Sequence, residues 1–454
     1  AAHRLLLRKG GFPMKRLLCI LSALLLCACT AAAPAGSGTA QADPTAEPAP
    51  AREMHRLSTL SGGSPGQGGY YHVYHPDDAD YALAAVIDPA TGQDHVLCSR
   101  SGCAHNEESC PAFFGRSTED SAYISGNLYA DGDKLYWLRT PMGNQICNAN
   151  DAFLDVSDLD GSNRRRIVAG GVIPLYLYTD WYGNGESLFC SYRCGSYFAV
   201  YRFDENGVKA IYERQSTQQV LTSIIGVWQD KLLLSWREDY TTPDYPPEGS
   251  SEELWSAWDE ACRTAMKQAP LHLAMLDADG NFTDTGLILP AETCEVYPVQ
   301  GDSLYALEHS GRRWRYDLAA NTMEELESLP AIEGDYWVYG LPYGAWVTGS
   351  YAAPGQDDYT EYWLNLADGS YLEPQPTWLK DECVPRIPYT VAALGDTLLM
   401  EIGCQYYDTT TTGQDGQPYT FTTCRFIYGL IPAEDFLAGS QNWTPVTLLG
   451  NDLS

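Results

Sequence analysis

The chain has 454 residues, with 59 acidic against 28 basic side chains and a net charge of −31. A surface of that sign repels phosphate backbones and anionic lipid headgroups, which excludes nucleic-acid binding and any charge-driven hold on a membrane. Tyrosine and tryptophan are abundant, at 31 and 12 copies. Gly, Pro, Asp and Asn recur at short intervals between runs of Val, Ile, Leu and Tyr, as in all-β proteins.

Residue 1 is alanine and the first methionine is Met14. Lys9-Gly10-Gly11 can be encoded by a ribosome-binding sequence just ahead of the Met14 codon, so residues 1–13 are read as translated leader. Lys15 and Arg16 then precede an apolar run, 17–26, which is short for a membrane span. Residues 14–28 are thus expected to be a lipoprotein signal peptide, the bland alternative being an uncleaved anchor. Cys29, preceded by the small Ala28, is the expected lipidation site. Cys27 follows the bulky Leu26 and fits cleavage less well. Two acyl chains on Cys29 would give stable attachment to the outer face of a membrane. Residues 29–52, rich in Ala, Pro, Thr and Gly, cannot bury a core and read as a flexible tether.

Residues 53–450 carry two alternating signals. The first is a hairpin of the form Gly-Asp-x-Leu, as in Gly132-Asp133-Lys134-Leu135, Gly185-Glu186-Ser187-Leu188, Gln229-Asp230-Lys231-Leu232, Gly301-Asp302-Ser303-Leu304 and Gly395-Asp396-Thr397-Leu398. The second is a strand ending in an Asp/Asn-Gly turn, as in Asp158-Leu159-Asp160-Gly161, Asp204-Glu205-Asn206-Gly207, Asp277-Ala278-Asp279-Gly280 and Asn365-Leu366-Ala367-Asp368-Gly369. Asp and Gly belong there because tight reversals need an Asx turn or positive φ. Two hairpins make a four-stranded sheet, and about seven such units predict a β-propeller of seven four-stranded blades, six or eight being the neighbouring counts. The Asp-x-Asp-Gly turns lack the closing Glu of an EF-hand loop and are read as structural.

Two insertions interrupt the repeat. Between Arg237 and Pro270, Ser250-Ser251-Glu252-Glu253-Leu254-Trp255-Ser256-Ala257-Trp258 predicts a short helix with an acidic first turn, carrying Leu254, Trp255, Trp258, Cys262 and Ala265 on one face. It is either decoration or a ligand lid. The second insertion runs from Cys404 to Cys424 and reads as one hairpin centred near Gln414, which would set the two cysteines opposite each other as a disulfide or leave them as buried thiols.

The sharpest local signal is Cys98-Ser99-Arg100-Ser101-Gly102-Cys103-Ala104-His105-Asn106-Glu107-Glu108-Ser109-Cys110. Three thiols and an imidazole suit a closed tetrahedral zinc site of structural character, held by Cys98, Cys103, His105 and Cys110. A disulfide among the three cysteines is the competing reading outside the cell. This motif, with Cys110-Pro111-Ala112 and the following Gly132-Asp133-Lys134-Leu135-Tyr136-Trp137, resembles a group of propeller lipoproteins from anaerobic Gram-positive gut bacteria. The resemblance implies a propeller fold and an exported, lipid-anchored location; it implies no activity.

Three functions follow as expectations. The first is a non-catalytic surface module that binds a glycan, peptide or protein, with Trp181, Tyr182, Tyr359, Tyr362, Trp363, Trp255 and Trp258 as candidate contacts, since aromatic faces suit sugars and side chains alike. The second is a glycoside hydrolase, because Arg386-Ile387-Pro388 is similar to the Arg-Ile-Pro strand of sialidases; no Ser-x-Asp-x-Gly-x-Thr-Trp box accompanies it. The third is an envelope scaffold. A monomer is expected, with no cofactor beyond zinc.

Overall fold

The computed structural model describes residues 53–450, apart from 60–61, 77–78, 117–122, 143–152, 169–179, 217–221, 239, 248, 331–335, 352–359, 376–382 and 413–416. The leader, signal peptide, Cys29 and tether therefore lie outside the described residues. Those described belong to a single compact unit.

The unit is a seven-bladed β-propeller. Each blade is an antiparallel sheet whose four strands follow one another from the inside of the ring outwards. The first strands are Ser64–Gly66, Tyr123–Asp131, Trp181–Gly183, Thr222–Trp228, Val299–Gln300, Trp337–Tyr343 and Cys383–Leu394 in blades one to seven. Seven buried clusters lie between the sheets. One joins Trp137 and Leu135 of blade two to Val73 and Ala84 of blade one. Another joins Tyr129 and Tyr136 to Trp181 and Phe203 of blade three. The series continues round to a cluster that joins Leu399 and Tyr428 of blade seven to Tyr70 and Ile87 of blade one. The core is thus a ring of wedges rather than one central mass, which is how a chain of this length buries its apolar side chains.

The repeated signals sit where they were expected. Gly132-Asp133 reverses the chain between Asp131 and Lys134, with Gly132 at φ +61°. In blade four Gln229 takes the same position and holds φ +53°, a conformation that non-glycine residues adopt at a cost. At three of the reversals from third to fourth strand, a carboxylate at the end of the third strand accepts a backbone N–H two residues on. Asp88 does so from Ala90 at 2.8 Å, Asp204 from Asn206 at 2.8 Å and Asp277 from Asp279 at 3.0 Å. These are Asx turns that use their own carboxylates.

Because the strands alternate in direction, all these tight turns fall on one face of the ring. The connections from second to third strand leave from the opposite face. They include helix α1 (Glu252–Gln268) in blade four and the long arm of blade seven, where Thr397–Thr412 pairs with Pro418–Pro432. A second, one-turn helix, α2 (Ala433–Leu437), packs Phe436 against Trp363.

Blade one is built from residues 64–116 alone and blade seven from 383–445, so no strand is exchanged where the ring closes. The N-terminal segment does something different. His55–Arg56 adds a fifth strand at the inner edge of blade three, with His55 opposite Gly183. Met54 N–H donates to Gln229 of blade four, and the Thr59 hydroxyl is 2.8 Å from that of Tyr70 in blade one. The segment enters at the tight-turn face and lines the central channel.

Candidate functional site

The fourth strand of blade one is split. Asp94–Val96 pairs with residues 85–87 of the third strand, and Phe113–Arg116 pairs with residues 81–83 of the same strand. The chain between the two pieces, 97–112, loops out, and this excursion carries the cysteine-histidine cluster. Gly102 at φ +71° and His105 at φ +57° turn it back on itself. Arg100 holds the loop by donating to Ser109 O, and Arg116 by donating to Asn106 O at 2.7 Å.

The outcome is a convergence of four donors. The Sγ atoms of Cys98, Cys103 and Cys110 and a ring nitrogen of His105 lie within 4.8 Å of one another. Four ligands at about 2.0–2.3 Å from a tetrahedral zinc would stand slightly closer together than that, so small side-chain rotations suffice to close the set. His105 Nδ1 already lies 3.3 Å from Cys110 Sγ. The hydrogen bond from the His105 backbone N–H holds the Cys103 thiol below the ordinary thiol range, while burial pushes Cys110 up to about 12. The four residues can bind a metal ion, and all four positions of a tetrahedron are filled by protein. The loop also reaches blade two: a side chain at Gly161 would meet Pro111 O at 2.4 Å, and Arg164 donates to Phe113 O at 2.5 Å.

The aromatic candidates divide sharply. Trp181 and Trp363 are fully buried, and Tyr182 and Tyr362 nearly so. All four fill wedges between blades; Trp181, for example, stacks on Tyr129 at 5.1 Å. Trp181, Tyr362 and Trp363 are enclosed in those wedges, whereas Tyr182 also lines the cavity of the central channel. Tyr359 lies outside the described residues. Trp255 and Trp258 remain at the surface on α1, and Tyr245 of the preceding loop, which the sequence did not single out, joins them. Tyr406, Tyr407, Tyr419 and Phe421 are exposed on the arm of blade seven.

Two further expectations concern blade seven. In the arm, Cys404 stands opposite Phe426 and Cys424 opposite Tyr406, so the two cysteines are offset by two residues, and both are free thiols. The strands pair as far as Thr412 with Pro418, which centres the hairpin one residue beyond Gln414. Arg386 lies on the innermost strand of blade seven, and its side chain is outside the described residues.

The central channel keeps a cavity of about 260 Å³ beside the N-terminal segment, lined by Arg56, Thr59, Tyr182, Val227 and Thr390. Arg56 is neutralised there by Asp180 at 2.5 Å. A wider groove of about 620 Å³ lies between blades two and three at the tight-turn face, where Lys134, Arg165 and Arg202 mix with Asp158, Asp204 and Glu205. Its charges are spent on one another, as in the 2.9 Å pair of Lys134 with Asp158.

No family model matches the chain, and no curated protein does. Solved structures similar to it include a putative 6-phosphogluconolactonase from Bacteroides uniformis, at 11% identity and TM-score 0.37, covering 87% of this chain and 98% of that one. The β-propeller domain of the trilobed protease from Pyrococcus furiosus gives 11% and 0.39, covering 83% and 98%. An oligogalacturonate lyase in complex with manganese gives 11% and 0.35, covering 82% and 98%. The class of protein is a seven-bladed β-propeller with a Cys₃His cluster on its first blade.

Proposed function

We propose that this chain is an exported lipoprotein, anchored through Cys29 to the outer face of a membrane, whose propeller is a non-catalytic module that binds a glycan, peptide or protein. The observation that carries the reading is the division of labour between the two faces. Tight turns and the incoming N-terminal segment occupy one face, while α1 and the aromatic arm leave from the other. Long connections held on a rigid scaffold are where binding surfaces concentrate. The Cys98, Cys103, His105 and Cys110 set holds a structural zinc ion: soft thiolates with imidazole suit zinc, and no coordination position is left for a substrate.

The test expresses the chain in a bacterium fed radiolabelled fatty acid and compares it with Cys29→Ser. Label in the first and not in the second supports the anchor. The purified protein is then applied to a glycan array and used to capture partners from envelope extracts. Selective retention without turnover supports a binding module. Hydrolysis of any retained glycan would replace it with an enzyme.

A further inference from the structure

Helix α1 is seventeen residues long, yet none of them is buried. Isolated helices of this length are marginal in water, and most helices in proteins are stabilised by burying one face. α1 is instead held at its C-terminal end. Arg237, itself buried, donates to the carbonyls of Met266 at 2.7 Å and Ala269 at 2.6 Å, and Lys267 pairs with Glu292. A cation on the last carbonyls complements the helix dipole. The N-terminal half carries the apolar stripe outward: Leu254 is 56% and Trp255 38% exposed.

That stripe is organised. Tyr245, 72% exposed, stacks on Trp258 with centroids 4.6 Å apart and planes 28° apart. Trp255 stands across the pair, at 82° to Trp258 and 63° to Tyr245, so the three rings form a two-walled corner. Trp258 is fixed from below, its Nε1 donating to Pro243 O at 3.0 Å. At about 100° per residue, Glu252 and Asp259 fall along the border of the stripe beside Trp255, whereas Ala257 and Ala261 border Leu254 and Glu253 and Glu260 fall on the opposite side of the helix. Glu260 pairs with Arg263 at 3.3 Å. Asp244, next to Tyr245, and Glu252 and Asp259 have no ion pair among the described residues, so the corner is flanked on one side by uncompensated negative charge.

We infer that the Tyr245, Trp255 and Trp258 corner of α1 is a docking site for a cationic amphipathic segment of a partner protein. Rings attract a lysine or arginine head over their faces, the carboxylates along the Trp255 border complement further basic residues, and Leu254 receives an apolar side chain. A neutral glycan would use the rings and leave the three carboxylates of Asp244, Glu252 and Asp259 unanswered, which is why the charge decides for a basic polypeptide. The inference rests on the binding-module reading and names its site and the chemistry of its partner.

The test immobilises the full chain in non-ionic detergent at physiological ionic strength. The probe is a synthetic peptide of lysine and leucine patterned as an amphipathic helix, with a glutamate-for-lysine peptide alongside. The lysine peptide should bind and the glutamate peptide should not. Trp255→Ala and Trp258→Ala should each weaken binding by at least about tenfold, as should Glu252→Gln and Asp259→Asn combined, while Trp337→Ala, an exposed tryptophan elsewhere, should leave it unchanged. Equal binding by all tryptophan variants would mean that long-range charge alone holds the peptide and would overturn the site. A neutral glycan whose binding is lost in Trp255→Ala, without peptide binding, would overturn the partner chemistry. Turnover of a substrate by the unmodified chain would sink the binding-module reading separately, since it is read without the peptide.

Discussion

His55 Nε2 lies 3.0 Å from Oδ1 of Asp131, which ties the N-terminal segment to the last residue of the innermost strand of blade two. The Asp131 side chain is wholly buried and its two oxygens also accept the Gly185 backbone N–H at 2.9 Å. Burial of His55 opposes its protonation, but the hydrogen bond and charge of Asp131 outweigh that, and its pKa is raised above 6.5. A raised pKa means that docking is strengthened at pH below the ordinary imidazole range and that the gain is lost as pH climbs through the folded value. Amide protection of residues 53–59, corrected for intrinsic exchange, should therefore be higher at pH 6 than at pH 8. His55→Ala should flatten the difference. Because the ring is about half exposed, the effect should be modest and confined to this segment; equal protection at both pH values in the unmodified chain would refute it.

Metal removal should act locally as well. The excursion 97–112 interrupts a strand, and a tetrahedral ion would join its beginning at Cys98 to its end at Cys110. Purified chain should contain one zinc per molecule. A strong chelator should lower the melting temperature and speed exchange across 97–116, leaving blades four to six unchanged. Cys98→Ser or Cys110→Ser should do the same without chelator. A chain that carries no metal and oxidised cysteines would exclude the ion.

What the sequence made legible was the part written in local chemistry. Reversals depend on φ and on short side chains that bond their own backbone, so Gly132, Asp204 and Asp277 announce themselves one turn at a time. Even Gln229, with no glycine, was legible through the Asp230-Lys231-Leu232 that follows it. The convergence of three thiols and an imidazole was legible because all four fall on one loop. The role of each aromatic was not. In a propeller both faces of a sheet are covered by neighbouring blades, so alternation no longer separates inside from outside, and Trp363 reads like Trp255. Pairing across long separations was equally silent: the partner of His55 is Gly183, and nothing in residues 53–59 repeats a signal.

The same distinction predicts unequal costs for one substitution. Trp363 is fully buried against Phe436, with centroids 4.8 Å apart, and packs with Leu398 and Ile431 of blade seven. Trp363→Ala removes a large ring from a wedge that cannot collapse without moving two blades, and should cost about 3–5 kcal/mol. Trp255→Ala on the unburied helix should stay within about 0.5 kcal/mol. Denaturant unfolding of the two variants reads the contrast directly, and similar midpoints would mean that the wedge is not as packed as the geometry implies.

Closure of the ring supplies the last expectation. With no shared strand, blades one and seven meet through an apolar wedge and through the C-terminal segment, where Thr447 N–H donates to Gly92 O at 2.8 Å and Leu449 N–H to Asp94 Oδ2 at 3.0 Å. Asp94 is buried and its other oxygen lies 3.0 Å from Nε2 of His72, also buried. Asp94→Ala removes the acceptor for Leu449 and strands the imidazole, and should cost about 3–5 kcal/mol, whereas replacing both His72 and Asp94 by leucine should cost less than either single change, because no buried polar group is then left alone. Asp94→Asn, which keeps an acceptor, should fall between them. Removing residues 446–450 should lose the Leu449 bond while keeping the His72 pair, so its cost should be smaller than that of Asp94→Ala if the pair dominates and comparable if the C-terminal staple does. Unfolding midpoints of these four proteins separate the two contributions, and an Asp94→Ala change below about 1 kcal/mol would leave the wedge alone as the lock of the ring.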